Sequence, residues 1–291
     1  FFICCIFSLV YVEFFGVGDV KRWIDLRFLY IQPSELTKIA LILFLAKYFN
    51  DFPVKQNSFI YYIIPFIVVL IPTFLVMNQP DLGTGFMIFL LGVSLIFVVG
   101  LPWKVVFTIF IIGLASIPIL WQQLYEYQKH RIIVFLNPHI DALGSGYQII
   151  QSKIAIGSGG FFGKGFLKGT QSYLEFLPEK HTDFIFTLFS EEFGFLGSII
   201  LLFLYILLIY RVISIGFFVR SFFAKLYCFG FASAIFLYVF VNISMVLGLL
   251  PIVGAPLPIM SYGGSSMLSI MLGLSIVMSC KIYSQDQIRN Y

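Results

Sequence analysis

The strongest chemical signal in this chain is a concentration of acid between residues 174 and 192. This segment holds five of the 14 Asp and Glu residues in the 291-residue sequence: Glu175, Glu179, Asp183, Glu191 and Glu192. Pro178 cannot lie inside a helix and Thr182 is a suitable N-cap, so the pattern predicts a helix that begins near Asp183 and continues through Tyr210. A polar loop therefore becomes an apolar helix where the acid is densest.

Asp183 is expected in the first turn of that helix, at the water boundary, where the helix dipole favours a negative charge. Glu191 follows eight residues later, about 12 Å deeper and on nearly the same face. Carboxylates at such depth are costly unless they are paired or face a wet cavity, so both are functional candidates. The plainer alternative is that Asp183 only caps the helix, and that Glu191 and Glu192 only meet Lys or Arg from a neighbouring span.

The composition indicates a membrane protein. Hydrophobic residues make up 60% of the chain and charged residues 11%, whereas an ordinary soluble domain has about 25% charged residues. Apolar runs long enough to cross a hydrocarbon core of about 30 Å predict eight spans. They lie at about residues 1–16, 34–50, 59–77, 82–100, 103–121, 183–210, 222–249 and 263–280. We therefore predict an all-α polytopic membrane protein with one long extracytoplasmic loop.

Three features argue against a signal peptide, a cysteine-based framework and a nucleic-acid partner. Phe1 lies within an apolar run that has no basic lead, so this run is not a signal peptide, and we expect further sequence upstream. All four cysteines lie within predicted spans without a Cys-x-x-Cys pair, which predicts neither a disulfide framework nor a zinc site. The formal net charge of +4 is too small to indicate a nucleic-acid partner.

The distribution of charge predicts the orientation. With eight alternating spans, one side of the membrane receives eight Lys and Arg against two Asp, and the other receives ten Lys and Arg against twelve Asp and Glu. Because short loops rich in Lys and Arg stay in the cytoplasm, we expect the first side, which includes the C-terminus, to be cytoplasmic. The outward segments are then residues 17–33, 78–82, 122–182 and 250–263.

Two outward segments bring charge to the membrane boundary. Arg22 beside Trp23 suits substrate binding, and it also suits an ordinary interfacial anchor. Glu35 and Lys38, at an i, i+3 spacing, predict an ion pair just inside the membrane that is either structural or lines a cavity. Asp81 lies in a helix break, N-Q-P-D-L-G-T, that is either functional or an ordinary turn between antiparallel spans.

Residues 122–182 are too long for a simple connection, and long ordered loops are usually functional. The piece from Tyr147 to Ile156 is amphipathic and predicts a short interfacial helix. The glycine-rich run that follows fails as a nucleotide-binding P-loop, because it lacks the upstream glycine and the Ser or Thr that must follow Lys164. Its amides, beside Lys153, Lys164 and Lys168, either cradle a phosphate or belong to a plain flexible loop.

The last outward connection, P-I-V-G-A-P-L-P-I-M-S-Y-G-G-S-S, combines prolines, glycines and hydroxyls. A non-helical segment of this kind is tolerated at membrane depth only where it lines a cavity. Asn242, inside the preceding span, indicates either the same cavity or an interhelical hydrogen bond. A metal site built on His181 and Asp183 is only weakly indicated, because residues at i and i+2 do not share a helix face.

Several motifs occur together in an order that resembles the SEDS family (shape, elongation, division and sporulation proteins). They are G-x-x-K-R-W-I-D, Q-P-S-E-L-x-K, Q-P-D-L-G-T, G-S-G-Y-Q-I-I-Q-S-K-I-A-I-G-S-G-G, G-T-Q-S-x-L-E-F-L-P-E-K-H-T-D-F-I-F, E-E-F-G-F-L-G and P-L-P-I-M-S-Y-G-G-S-S. The resemblance covers essentially the whole chain and is closer to the elongation branch than to the division branch. It implies ten spans with both ends cytoplasmic, eight of them visible here, in one transmembrane domain over residues 1–291 that includes the loop 122–182.

The resemblance also implies a function. SEDS proteins of the elongation branch are peptidoglycan glycosyltransferases of the bacterial inner membrane, which polymerise lipid II into glycan strands during elongation and rod-shape maintenance. The aspartate that the family needs falls on Asp183, its loop tryptophan on Trp23, and its cavity-lining Glu and Lys on Glu35 and Lys38. The implied partners are lipid II, the nascent glycan strand, membrane lipid, a class B penicillin-binding protein that crosslinks the strands, and the elongation machinery.

We predict that Asp183 is the general base of this reaction, and that one carboxylate is enough because a diphosphate leaving group needs no separate acid. A divalent cation (Mg or Mn) or basic residues would stabilise the departing charge, and no organic cofactor is expected. The candidate substrate-binding residues are Arg22, Trp23, Glu35, Lys38, Asp81, Arg131, Gln151, Lys153, Lys164, Gln171, Glu175, Glu192, Ser261 and Ser265. We expect the ionisable ones to converge with Asp183 on one pocket on the extracytoplasmic side.

Two other functions are compatible with the sequence. A lipid II flippase would place its essential charges near the midplane and expose them to both sides, whereas the polar groups here crowd the outer half. A non-catalytic scaffold for the transpeptidase would support growth without the Asp183 carboxylate. We favour the enzyme over both.

Overall fold

The computed structural model describes residues 1–16, 21–25, 30–52, 60–100, 103–141, 144–169 and 181–284. Within these residues the chain is mainly helical, which confirms the helical class. The helices are α1 (Phe2–Phe15), α2 (Pro33–Asp51), α3 (Ile60–Asn78), α4 (Leu82–Val98), α5 (Trp103–Gln123), α6 (Glu126–Leu136), α7 (Ser145–Gly159), α8 (Ile185–Phe218), α9 (Phe222–Val246) and α10 (Gly264–Ile282). Two short antiparallel strands, β1 (Ile24–Asp25) and β2 (Tyr30–Ile31), and a 3-10 turn at Pro138–Asp141 accompany them.

Several helices have the length and composition of membrane spans. In the part of the chain that the structure describes, four satisfy both requirements: the stretch Tyr61–Asn78 of α3, and the helices α8, α9 and α10. Helices α1 and α4 are apolar but shorter. The chain is therefore a multi-pass membrane protein, whereas the number of eight spans, the single domain and its long outward loop stay predictions.

The chain divides into two compact units, and the first contains residues 1–99, 204–239 and 254–291. Helix α2 contacts α1, α3, α4 and α10 within this unit. Its apolar side chains, such as Leu45 and Phe49, are completely buried. Pro33 occupies the first turn of α2, as predicted, because its fixed φ suits that position and its missing N–H has no partner there to lose. This start places Glu35 and Lys38 in the first two turns.

The second unit contains residues 100–203 and 240–253. Two helices, α6 and α7, and the 3-10 turn between them lie within the segment predicted as one long loop. The amphipathic piece from Tyr147 to Ile156 falls inside α7, so the helix predicted there is confirmed. Its position at a membrane interface stays a prediction.

Helix α8 carries Glu191 and Glu192 of the acidic segment and follows a turn at residues 181–184, which holds Asp183. It begins at Ile185, two residues after the predicted start, and ends at Phe218, eight residues beyond the predicted end. The helix is broken at Gly194, whose φ of 67° and ψ of −162° lie in a region that is accessible almost only to glycine. The break separates a short first part, residues 185–193, from a long second part.

Candidate functional site

Asp183 lies in the turn that leads into α8 and is half-buried. Its backbone carbonyl accepts a hydrogen bond of 2.8 Å from Nδ2 of Asn242, a completely buried residue of α9. The hydrogen bond predicted for Asn242 is therefore present, and its acceptor is the main chain of Asp183. The bond fixes the backbone at the residue that is predicted to be the base.

Thr187, one turn along α8, is also completely buried. Its hydroxyl oxygen lies 2.8 Å from that of Ser152 in α7, and Ser152 donates to the carbonyl of Val246 in α9, again at 2.8 Å. Because a hydroxyl has one hydrogen to donate, Thr187 must be the donor to Ser152. This chain of hydrogen bonds joins α7, α8 and α9 within the second unit.

Glu191 follows one turn later, is completely buried, and forms an ion pair of 2.7 Å with Lys164. Lys164 belongs to the glycine-rich loop, residues 160–169. The plainer alternative required a cation from a neighbouring span, whereas the structure supplies a loop lysine. Glu192 is half-buried and has no ion-pair partner among the described residues.

The amides of the glycine-rich loop are already engaged by the protein. Lys164 donates its N–H to the carbonyl of Glu191 and Gly165 donates to that of Glu192, both at 3.0 Å, while Gly163 donates to a carbonyl of α7 at 2.8 Å. Since each N–H makes one strong hydrogen bond, these three amides have none to offer an anion. The phosphate-cradle interpretation is therefore wrong for them.

Three further candidate residues lie in the second unit. Lys153 is exposed on α7, and its side chain passes over Gly248, where an added Cβ would meet its Cε atom. Arg131 is exposed on α6 and donates to the carbonyl of Ile252 at 3.3 Å. Gln151 is half-buried in α7. Their contact with substrate stays a prediction.

In the first unit, Glu35 and Lys38 form the predicted ion pair, with Nζ and Oε1 2.6 Å apart. Both side chains are almost completely buried. The Lys38 ammonium lies 4.1 Å from the centre of the Tyr238 ring, and the Tyr238 hydroxyl donates to the same Glu35 oxygen at 3.4 Å. A carboxylate, an ammonium and a phenol are therefore held together within the helices of this unit.

This trio lines a small, partly open cavity in the first unit. Ser266 and Ser269 add two hydroxyls to the lining, and the other seven lining residues are apolar. The predicted cavity-lining position of Glu35 and Lys38 is therefore found. A mostly apolar wall with a few convergent polar groups is the usual composition of a small-molecule site.

Arg22 and Asp81 also meet in the first unit. The guanidinium of Arg22 donates to the carbonyls of Gln79 and Pro80 and lies 3.6 Å from the Asp81 carboxylate. Asp81 caps α4 by accepting from the N–H and the hydroxyl of Thr84. Both side chains have structural partners that match the ordinary-turn alternative, and their contact with substrate stays a prediction.

The remaining candidates of the first unit hold the backbone. Ser265 donates to the carbonyl of Tyr30 and accepts from the N–H of Gln32. Ser261 accepts from the N–H of Leu257. Trp23 is 37% exposed beside β1. None of these contacts tests substrate binding.

The two units each bring some of the predicted residues together, and their convergence on one pocket stays a prediction. Gln171 and Glu175 lie outside the described residues. Within the described ranges, no group of three or more His, Cys, Asp and Glu side chains is placed to hold a metal ion. These residues therefore do not fit a protein-built metal centre, and the divalent cation stays a prediction.

Sequence reasoning missed three polar residues: Tyr238, which is half-buried, and Thr187 and Ser152, which are completely buried. A signal was present for two of them, because Thr187 lies four residues after Asp183 and Tyr238 lies four residues before Asn242. That spacing places each on the same helix face as a singled-out residue. Ser152 carried no such signal.

A family model for cell cycle proteins of the FtsW, RodA and SpoVE type matches residues 1–286. The peptidoglycan glycosyltransferase MrdB of Escherichia coli K12 is 48% identical over 284 residues, which cover 96% of this chain and 76% of that protein. The peptidoglycan glycosyltransferase RodA of Treponema pallidum is 31% identical, with 94% and 80% covered.

Two solved structures are also similar. One, described as showing structural coordination of polymerization and crosslinking by a peptidoglycan synthase complex, matches with a TM-score of 0.82 and 33% identity, covering 98% of this chain and 81% of its own. The crystal structure of the rod shape determining protein RodA of Thermus thermophilus matches with a TM-score of 0.70 and 28% identity, covering 98% and 77%.

Proposed function

This chain belongs to the FtsW/RodA/SpoVE family of cell cycle proteins, and on that premise we propose that Asp183 is the general base of its sugar-transfer reaction. The chain is a peptidoglycan glycosyltransferase, the activity named for its relatives at 48% and 31% identity. The observation that carries the role of Asp183 is the hydrogen bond from buried Asn242 to its carbonyl. That bond holds the main chain of a half-buried carboxylate at the start of an apolar helix.

The proposed substrate is lipid II, whose disaccharide is joined through a diphosphate to a polyprenyl tail. Such a molecule needs an apolar path for the tail and a polar site for the head group. In the first unit, the cavity beside Glu35 and Lys38 offers an apolar wall with an ion pair in it. We assign this cavity to contact with the lipid-linked substrate.

The proposed step forms one bond and breaks one. The 4-hydroxyl of the incoming sugar attacks the anomeric carbon of the growing strand, Asp183 accepts the hydroxyl proton, and the bond from that carbon to the diphosphate breaks. The diphosphate leaves as an anion, so no acid is needed. Arg131 and Lys153, both exposed in the second unit, are proposed to stabilise its charge. No step is derived through a metal ion.

The proposed location of this site is the extracytoplasmic side of the bacterial inner membrane, with a cytoplasmic C-terminus. The net positive charge of the short loops on the other side supports that orientation. The proposed partner is a class B penicillin-binding protein within the elongation machinery. A similar solved structure, described as a synthase complex that coordinates polymerization and crosslinking, supports this partner.

The test is the variant Asp183→Asn, purified and incubated with lipid II, with glycan strands separated on a gel. Loss of general-base catalysis is expected to lower the polymerisation rate by about 10² to 10⁴-fold. The protein must stay folded and membrane-inserted, which its elution profile and melting temperature establish. A normal rate in this variant would refute the role of Asp183, and lipid II transport without strands would favour a flippase.

A further inference from the structure

At the break in α8, the backbone groups that lack helical partners bind another segment of the same unit, the glycine-rich loop. In an unbroken helix the carbonyls of Glu191 and Glu192 would accept from the amides four residues later, those of Phe195 and Leu196. Here these carbonyls accept from the glycine-rich loop instead, and the amides of Phe195 and Leu196 donate back to loop carbonyls at 2.9 and 3.1 Å. Four backbone hydrogen bonds therefore join the loop to the two sides of the break.

Glycines make this close approach possible. A Cβ on Gly194 would meet the amide nitrogen of Gly163, and a Cβ on Gly163 would meet the carbonyl of Glu192. Both glycines also have positive φ, at 67° and 80°. The loop can therefore approach the break this closely only with Gly163 opposite Gly194.

The ion pair between Lys164 and Glu191 adds a charged contact to this junction. Glu191 is completely buried, whereas the Lys164 side chain is 27% exposed. A buried carboxylate keeps its charge only beside a partner. The pair therefore ties the loop to the last turn of the first part of α8, residues 185–193.

Three contacts recur at intervals of four residues, one in the turn before that part and two within it. The carbonyl of Asp183 is bound by Asn242, the hydroxyl of Thr187 by Ser152, and the carboxylate of Glu191 by Lys164. Residues four apart share a helix face, and the three partners come from α9, α7 and the glycine-rich loop. The first part of α8 is thus held at three points, and the proposed base lies next to one end.

We propose that Glu191 and Lys164 are positioning residues for the sugar-transfer reaction. Their ion pair fixes the far end of residues 185–193 and so sets where the carboxylate of Asp183 is presented, without either residue touching the substrate. The proposal rests on the function proposed for Asp183. It also moves Lys164 from the substrate-binding candidates to a role inside the protein.

The test compares Glu191→Gln, Lys164→Met and the double variant with wild type, using purified full-length protein and lipid II. A displacement of the base by about 1 Å costs about 100-fold in rate. We expect the rate at saturating lipid II to fall by about that factor in each single variant, while KM for lipid II stays unchanged. The effects of two residues that act through one contact are not additive. The rate of the double variant should therefore be about 100-fold below that of wild type, as in each single variant, and not lower by the product of the two losses.

Two controls separate positioning from general damage. Glu126 and Lys129 form an ion pair within the first turn of α6, and the Glu126 side chain is 90% exposed, so neutralising both is expected to leave the rate unchanged. Lys164→Arg keeps the charge and should retain most of the activity. Hydrogen exchange should rise in residues 185–193 of the single variants and stay constant in residues 204–218.

Several results would overturn the proposal. A normal saturating rate in both single variants, or full recovery of rate in the double variant, would mean that the pair serves stability alone. A raised KM in Lys164→Met without an effect of Glu191→Gln would make Lys164 a substrate ligand. If Glu191→Gln does not fold, Lys164→Met and the double variant decide between these outcomes. An active Asp183→Asn enzyme would instead remove the proposed function itself.

Discussion

Replacing Lys38 by methionine removes the cation from the buried pair that lines the cavity of the first unit. Nζ and Oε1 are 2.6 Å apart, and the two side chains are 5% and 7% exposed. At an effective dielectric constant of about 20, charges at that separation attract by about 6 kcal/mol, much of which offsets their desolvation. Without Lys38 the Glu35 carboxylate loses its partner and stays buried, so we expect unfolding to become easier by about 3–5 kcal/mol.

The assay is a double-mutant cycle on the free energy of unfolding in mixed micelles. Lys38→Met alone is expected to lower the free energy of unfolding by the full amount, about 3–5 kcal/mol. The double variant Lys38→Met with Glu35→Gln should be within about 1 kcal/mol of wild type, because it leaves no unpaired buried charge. The matched control is Lys47→Met, which breaks the exposed pair with Asp51 at the other end of α2 and should have little effect. Equal losses for Lys38→Met and Lys47→Met would refute the reasoning.

Two further substitutions test the second unit. Asn242→Leu keeps the size of the side chain but leaves the Asp183 carbonyl without its donor. We therefore expect the free energy of unfolding to fall by about 1–3 kcal/mol and the polymerisation rate to fall as well. The control is Ser233→Ala, which removes a hydrogen bond within the same helix. Gly194→Ala is expected to lower the free energy of unfolding by about 1–3 kcal/mol, because alanine does not readily adopt the backbone conformation at this position. Gly157→Ala, in α7 with open space around the added Cβ, is expected to raise it by about 0.5–1 kcal/mol. Melting curves that rank the two variants in the opposite order would contradict the account of the break.

Local sequence patterns predicted much of what surrounds Asp183. The start of α8 lies within two residues of its prediction, because a proline and an apolar run act on neighbouring residues only. Pro33 likewise predicted the start of α2, and the i, i+3 spacing of Glu35 and Lys38 predicted their ion pair. Each of these features depends on the chemistry of one short segment.

The features that were missed depend on two segments far apart in the chain. The glycine-rich loop was interpreted as a phosphate cradle because glycines free backbone amides to bind an acceptor. The sequence does not say which acceptor they meet, and the carbonyls of Glu191 and Glu192 lie nearly thirty residues downstream. The break at Gly194 was hidden for the same reason, since a single glycine in an apolar run is also compatible with an unbroken helix.

The exchange of hydrogen bonds at Gly194 has a consequence for assembly in the bilayer. A peptide group left unpaired in hydrocarbon costs several kcal/mol, and this helix contains four groups that its own turns do not satisfy. The segment that satisfies them leaves the ribosome first. The backbone hydrogen bonds of helix α8 are therefore completed only when the helix packs against the glycine-rich loop, which is synthesised before it.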